Sequence, residues 1–467
     1  MREFLPESIL YLAKVCFNKT GKPLYAVGGS VRDFLAGFSL AEADFDLCAP
    51  IPAEDFSAIA QSAGFYVNAV YKRTGTVKFS AQGKDNNGKT ARFEYAAFRF
   101  DTYVRGEHTP AKTQFTEDIF LDAKRRDFTC NAVYYNLSQG EFCDPLGGID
   151  DVKAKRLKCV DDANKVFGED GLRLMRLARM AGATGFAPTE DTLVGAKNNA
   201  ALISDVSPER IYAELLLCLS ANERYGVKNG VYTALSLLDK TRVLNYILPE
   251  LAAGRGVTQR ADFHNHDVLE HSLRAAGYAE KSVRLAALLH DVGKSEALKN
   301  EGRFASHPER GEKIAREILT RLKAPAKDAE RVCALVKYHM YDYDLQTKET
   351  KLRRFLVEHA ELIGDLLLVK QADYSACKDD LSAAPCVKRW QALIEKMKSE
   401  NVPFSLKQLA VKGDDIAGVL PSPRCVGNTL RALLLHVAVH PEENVKERLI
   451  YLAPKLCAAD CAEKKGR

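Results

Sequence analysis

Along the first part of the chain apolar residues come in short runs broken by glycines and acids, and from about residue 150 onward they recur with helical spacing. In YAVGGSVRD, residues 25–33, an apolar strand runs into Gly28-Gly29, and a helix follows from Ser30. The segment ARFEYAAFRF, 91–100, alternates as a strand does and puts Glu94, Ala96 and Phe98 on one face. Residues 101–118 are polar and turn-rich, which predicts a mobile loop. In EDGLRLMRLARM, 169–180, Leu172, Leu174, Met175 and Leu177 can face a core, while Asp170, Arg173 and Arg176 recur every three residues as one polar stripe of a helix. Ser207 followed by Pro208 predicts a further helix start, with serine as the cap. The run RLAALLHDVGK, 284–294, reads as an apolar helix closed by His290-Asp291 and ended by Gly293. The expectation is an α+β protein with an α/β head over 1–150, a helical neck over 151–250, a helical segment over 251–375 and a helical tail over 376–467.

The head carries the ingredients of nucleotidyl transfer. A glycine pair at a strand–helix turn lets backbone N–H groups approach a phosphate. In DFDL, 44–47, the carboxylates of Asp44 and Asp46 lie two apart on a strand and therefore share a face. There they can hold divalent cations against a nucleoside triphosphate. Glu94 is a candidate third acid or simply an exposed strand residue. In RRDFTCNA, 125–132, two arginines can fork onto phosphate or ribose oxygens, and Asp127 and Asn131 would share a face if the segment is helical.

Taken together, GGSVRD, D-x-D, RRDFTCNA and EDGLRLMRLAR resemble the motifs of class II tRNA nucleotidyltransferases, the CCA-adding enzymes and their poly(A) polymerase relatives. The resemblance implies a polymerase-beta-like nucleotidyltransferase head. It assigns catalysis and Mg2+ binding to Asp44 and Asp46, and triphosphate binding to Gly28, Gly29 and Arg32. Asp33 is expected to orient Arg32, or to serve only as a first-turn acid. Ribose and phosphate contacts fall to Arg125, Arg126, Asp127 and Asn131. Asp170 and Arg173 would hydrogen-bond the incoming base in place of a template, with Arg176 and Arg179 buttressing them or touching phosphate. The implied activity is rebuilding of the 3′-terminal CCA of tRNA from CTP and ATP; CC-adding, A-adding and poly(A) variants share the same residues. The tail, with 15 Lys and Arg against 11 Asp and Glu over 376–467, resembles the C-terminal body of bacterial CCA-adding enzymes.

A second chemistry follows. The series His271, His290-Asp291, His307, His339 and Asp373 resembles the HD phosphohydrolase superfamily. That resemblance implies one metal on His271, His290, Asp291 and Asp373, with His307 and His339 completing a second site. Mixed imidazole and carboxylate ligands suit a transition metal such as Ni2+ or Mn2+. His264 and His266 read as polar loop residues. An HD phosphohydrolase with the head serving only to bind RNA is the alternative function.

At 467 residues the chain is too long for one domain. Its net charge of +5 means that any nucleic-acid surface is a patch rather than a global field. Twelve cysteines without a CxxC pair read as reduced thiols. No signal peptide and no spanning apolar run are evident, so the expectation is a cytoplasmic protein with tRNA, CTP and ATP as partners and with no DNA or membrane contact. Oligomeric state is left open.

Overall fold

The computed structural model describes residues 1–40, 45–81, 91–102 and 112–463. The chain divides into two compact units, Met1–Ala252 and Ala253–Arg467. No helix among the described residues is long and apolar enough to cross a membrane.

The first unit opens on a mixed sheet. Its strands are β1 (Tyr25–Val27), β2 (Asp46–Ala49), β3 (Tyr66–Tyr71), β4 (Thr76–Ser80), β5 (Arg92–Ala97), β8 (Tyr134–Asn136) and β9 (Phe142–Cys143), while β6 (Arg99–Thr102) and β7 (Lys112–Phe115) form a separate ribbon. The order is β3-β4-β5-β2-β1-β8-β9. The β2–β5 pair is parallel and sets Asp46 beside Glu94, whereas β1 runs antiparallel to both β2 and β8. One face packs on the helices Glu7–Thr20 and Ala53–Ser62 through Ile9, Leu12, Phe56, Phe79 and Tyr95, all buried. Phe56 stacks on Tyr95 with ring centroids 3.6 Å apart. The opposite face is left to the chemistry. Half of the loop expected over 101–118, residues 103–111, falls outside the described residues, and its flanks pair as β6 and β7.

After the sheet the unit is helical. The helix Leu172–Thr184 buries Leu174, Met175 and Leu177 as its periodicity requires, and packs against Gly230–Lys240 and Pro208–Cys218. Its contact with Gly230–Lys240 is made through glycine. A Cβ on Gly182 would overlap the Gly230 carbonyl oxygen, and a Cβ on Gly230 would lie 2.6 Å from the Gly182 carbonyl oxygen. This backbone-to-backbone approach sets how closely the arginine-bearing helix stands to Gly230–Lys240. Asp170 is not on that helix. Its backbone is extended (φ −148, ψ 107), because the chain turns between Ala163–Glu169 and Leu172–Thr184, and its carboxylate accepts from the Leu172 N–H, 3.0 Å away. The three-residue stripe is therefore a helix face plus its entry residue. Pro208 opens its helix as expected, but the Ser207 side chain makes no capping bond there.

The second unit, among its described residues, is all helix. Val268–Tyr278, Arg284–Leu289, His307–Arg321, Ala326–Tyr338 and Ala360–Lys378 surround a core that includes Leu288, Leu289, Leu335, Val336, Leu366 and Val369. Gly293 does not end its helix in a left-handed turn; its φ is −77 and a new helix, Lys294–Glu301, starts immediately after it. Glycine is needed there because a Cβ would overlap the His307 carbonyl oxygen and lie 2.6 Å from the Gly311 nitrogen. The eleven cysteines that are described carry free thiols.

Overpacking at the glycine crossing is testable. Gly182→Ala should lower the stability of the first unit by about 1–3 kcal/mol in urea unfolding. Gly168→Ala, in a helix where the nearest atom to the new Cβ is 3.9 Å away, should be neutral or slightly stabilising. Equal losses would refute the close-approach account.

Candidate functional site

In the first unit a cleft of about 440 Å³ opens between the sheet, the Gly28-Gly29 turn and the helix Leu172–Thr184. Eight arginines and three aspartates line it. Every residue to which the sequence resemblance gave catalysis or nucleotide binding borders this cleft except Asp44, which lies outside the described residues; Asp33 and Glu94 do not line it. Asp46 stands at the start of β2. Gly28 adopts φ 79, and a Cβ there would come 3.3 Å from Asp46 Oδ2, so both conformation and proximity favour glycine. The helix Gly29–Leu35 begins one residue earlier than Ser30. Glu94 is the register partner of Asp46, and its carboxylate forms a 3.8 Å ion pair with Lys78.

Converging guanidinium groups repel one another, and buried carboxylates resolve this. Asp122, fully buried, accepts from Arg125 Nε at 2.7 Å, Arg126 Nη2 at 3.1 Å and the Tyr134 hydroxyl at 2.7 Å. Burial opposes its ionisation, but the two arginines outweigh burial and hold its pKa down at about 2. Asp127 accepts from Asn131 Nδ2 at 2.9 Å and from Arg176 Nε at 2.8 Å; burial again opposes ionisation, and these partners hold it below the usual carboxylate range. The Asp127–Asn131 pairing comes from a 3-10 turn, Thr129–Asn131, rather than an α-helix. Arg32 donates through Nε and Nη2 to Asp33 and through Nη1 to Asn131. Arg173 donates to the Val166 and Arg125 carbonyls and to Glu169. Arg179 pairs with Glu214, and Arg210 lies 3.7 Å from Asp170. The net result is a preorganised cationic cleft with Asp46 at one edge, suited to a polyanion with several phosphate oxygens.

The second unit brings six side chains into two adjoining clusters. His271 Nε2 lies 3.0 Å from Asp373 Oδ1, 3.2 Å from His290 Nε2 and 3.5 Å from Asp291 Oδ2. His307 Nε2 lies 3.2 Å from Asp291 Oδ1 and 3.1 Å from His339 Nε2. The Asp291 carboxylate thus faces both clusters, one oxygen to each. Nδ1 of His290, His307 and His339 each donates to a backbone carbonyl at 2.7 Å, of Ala287, Phe304 and Val336, which makes each Nε2 the atom available to a metal and aims it inward. This donor set fits divalent cations of the transition series. Burial works against the cation on His290, but Asp291 and Asp373 overcome it and push its pKa up to about 10. Burial lowers His339 to about 4.

Three segments match family models: residues 24–158 a poly A polymerase head domain, 185–254 a probable RNA and SrmB-binding site of polymerase A, and 268–376 an HD domain. The A-adding tRNA nucleotidyltransferase of Deinococcus radiodurans is 32% identical over 435 residues, covering 87% of this chain and 89% of that one. The chain belongs to the tRNA nucleotidyltransferase family. A second family member, the multifunctional CCA protein of Acinetobacter baumannii, is 30% identical over 337 residues, covering 68% of this chain and 74% of that one. The family fold is shared with the Bacillus stearothermophilus CCA-adding enzyme crystallised with CTP, at TM-score 0.66, 23% identity and 99% coverage of both chains.

Relative to the family motifs, four residues at the sites went unread in the sequence. Asp122 sits three residues before Arg125 on the helix Ile119–Lys124 and its turn, a spacing that alone could have marked it. Arg224 and Tyr225 reach Asp33 from the neck, and no local signal marks them. Lys294, whose Nζ is 2.6 Å from Asp291, was visible only as part of HDVGK. His264 is no mere loop residue: its ring packs edge-on against His271, centroids 4.9 Å apart, and burial followed by the nearby His271 lowers its pKa to about 4.

With His290 protonated at neutral pH in the metal-free chain, binding of a divalent cation must displace its proton. Titration calorimetry of the full chain with Mn2+ in buffers of different ionisation enthalpy should show release of about one proton per ion, and affinity rising about tenfold per pH unit across neutrality. Binding independent of pH would exclude His290 as a ligand.

Proposed function

We propose that the chain completes the 3′-terminal CCA of tRNA from CTP and ATP without a nucleic-acid template. The observation that carries this reading is the union, in one cleft, of Asp46, the glycine turn, the Arg125–Asn131 segment and the Asp170–Arg179 segment, which are far apart in sequence. Asp46, together with Asp44, would hold Mg2+, which supplies charge to the triphosphate and the attacking hydroxyl when bound. The chain's own groups do the rest. The glycine turn and Arg32 bind phosphate oxygens. Asp127 and Asn131, each already holding the other, orient the ribose. Asp170 presents a carboxylate acceptor to the exocyclic amine that C and A share, and Arg173, locked against Glu169 and two carbonyls, keeps its remaining donors toward the same edge. Arg176, bound to Asp127, buttresses the ribose group, and Arg179 lines the same wall. A rigid protein edge of this kind rejects U and G because their donor and acceptor positions are exchanged.

A narrower reading, addition of the terminal A only, is favoured by the A-adding relative from Deinococcus radiodurans. We assign phosphate-ester hydrolysis to the HD segment, with His271, His290, Asp291 and Asp373 holding one ion such as Ni2+ or Mn2+ and His307 and His339 a second; such ions supply Lewis acidity toward a phosphate oxygen. The functional division follows as head 1–150, neck 151–250, HD domain 251–375 and tRNA-binding tail 376–467, in a cytoplasmic protein.

Two outcomes check these assignments. Full chain given tRNA trimmed of its CCA should restore CCA with CTP and ATP together, read by sequencing the 3′ ends, and Asp46→Ala should cut each addition by several orders of magnitude with tRNA binding nearly unchanged. Extension of only those tRNAs already ending in CC would establish the A-adding reading, and retention of more than about a tenth of the rate by Asp46→Ala would remove Asp46 from catalysis. His290→Ala with Asp291→Ala should abolish metal uptake and hydrolysis of a 2′,3′-cyclic nucleotide while leaving nucleotide addition intact; unchanged hydrolysis would remove the HD segment from that chemistry.

A further inference from the structure

The arginine that faces the triphosphate is held from a distance of almost two hundred residues. Arg32 and Asp33 lie on the short helix after the glycine turn, both buried. Tyr225, in the turn between the neck helices Pro208–Cys218 and Gly230–Lys240, donates its hydroxyl to Asp33 Oδ2 at 2.5 Å and accepts from Arg32 Nη2 at 3.0 Å. Arg224 adds a bond to the same Asp33 oxygen at 3.3 Å. The Tyr225 ring is fixed independently of these bonds, stacked on Phe38 with centroids 4.4 Å apart and planes at 23°.

The donor inventory gives this its consequence. A guanidinium has five N–H groups. In Arg32, Nε–H and one Nη2–H go to Asp33 Oδ1, the other Nη2–H goes to Tyr225, and one Nη1–H goes to Asn131. One Nη1–H has no partner among the described residues, and Arg32 borders the cleft. Remove the tyrosine hydroxyl and Asp33 Oδ2 keeps only the longer Arg224 bond, while Arg32 Nη2 loses a partner. The guanidinium keeps its bonds to Asp33 Oδ1 and Asn131, but both it and the carboxylate it rests on are held less firmly, and the aim of its unpaired donor is loosened.

We propose that Tyr225 is a positioning residue for nucleotide binding, acting through Asp33 to set the plane of Arg32 for whichever nucleotide is incorporated. It reads no base, because its bonds are to the phosphate-side arginine and not to the Asp170–Arg173 edge. The inference rests on the assignment of Arg32 to the triphosphate.

Steady-state kinetics of the full chain on trimmed tRNA separate the two claims. Tyr225→Phe keeps the ring stack on Phe38 and removes only the hydroxyl. It should raise KM about tenfold, the contribution of one hydrogen bond to a charged group, by the same factor for each incorporated nucleotide. Its kcat, its KM for tRNA and its preference among nucleotides should stay as in the unmodified chain. Arg32→Ala should raise the same KM, and adding Tyr225→Phe to it should change nothing further, since the hydroxyl then has no arginine to position. If Arg32→Ala leaves the nucleotide KM unchanged, the triphosphate assignment fails. If Arg32→Ala raises it but Tyr225→Phe does not, or if the two effects simply multiply, the positioning role fails while the assignment stands. A fall in Tm with kcat and every KM altered together would make Tyr225 a folding residue and overturn the proposal.

Discussion

The head and neck depend on one constraint: many guanidinium groups must share a small cleft without driving it apart. Eight arginines border a space of about 440 Å³, and unshielded they would repel across a medium less polar than water. Asp33, Asp122 and Asp127, none more than 5% exposed, are each buried among two or more arginines or their hydrogen-bonding partners. Each carboxylate is unfavourable to bury alone, and each arginine is unfavourable to crowd alone. Paired and fully hydrogen-bonded, they form a rigid scaffold that still leaves an excess of positive charge facing the cleft. That excess is what a triphosphate neutralises, so the cleft is poised for a polyanion before any arrives.

The scaffold is also a chain of contacts. Tyr225 binds Asp33, Asp33 binds Arg32, Arg32 binds Asn131, Asn131 binds Asp127 and Asp127 binds Arg176. Its four middle members lie in the sheet-bearing part of the unit, and its two ends, Tyr225 and Arg176, lie in the helical part after it. Within the helical part, the crossing of Gly182 and Gly230 holds Leu172–Thr184, which bears Arg176, against Gly230–Lys240, because only bare backbone allows that approach.

The HD segment solves the opposite problem. There the buried acids, Asp291 and Asp373, outnumber nearby permanent cations, with Lys294 alone paired to Asp291. Without a metal the missing positive charge is supplied by a proton, which is why His290 is held protonated to about pH 10 although it is wholly buried. Backbone carbonyls fix the outer nitrogen of three histidines, so the inner nitrogens can converge without rotating away. A pocket whose charge is completed by a proton or a divalent ion is a cation site by its electrostatics, whatever ion it takes.

Local chemistry was legible in the sequence. The glycine turn before an acidic strand, the apolar face of residues 172–177 and the apolar run into His290-Asp291 each depend on residues within one or two helical turns, and their spacing determines which side chains share a face. The order of the motifs was enough to identify the family and to name the cleft's residues. Where a residue's part is set by what lies across from it, the sequence was silent or misleading. Gly293 reads as a helix terminator but is required by the approach of His307 and Gly311, and Asp170 reads as part of a helical stripe but sits in the turn before it. His264 reads as a loop histidine until the fold sets it against His271, and Tyr225 carries no signal until the neck brings its hydroxyl to Asp33. The sequence by itself determined the elements, the family and the donor atoms. Which arginine each buried acid holds, which histidines converge on Asp291 and which glycines face another backbone were decided by tertiary structure, because those contacts join residues tens to hundreds of positions apart and depend on distances that periodicity does not encode.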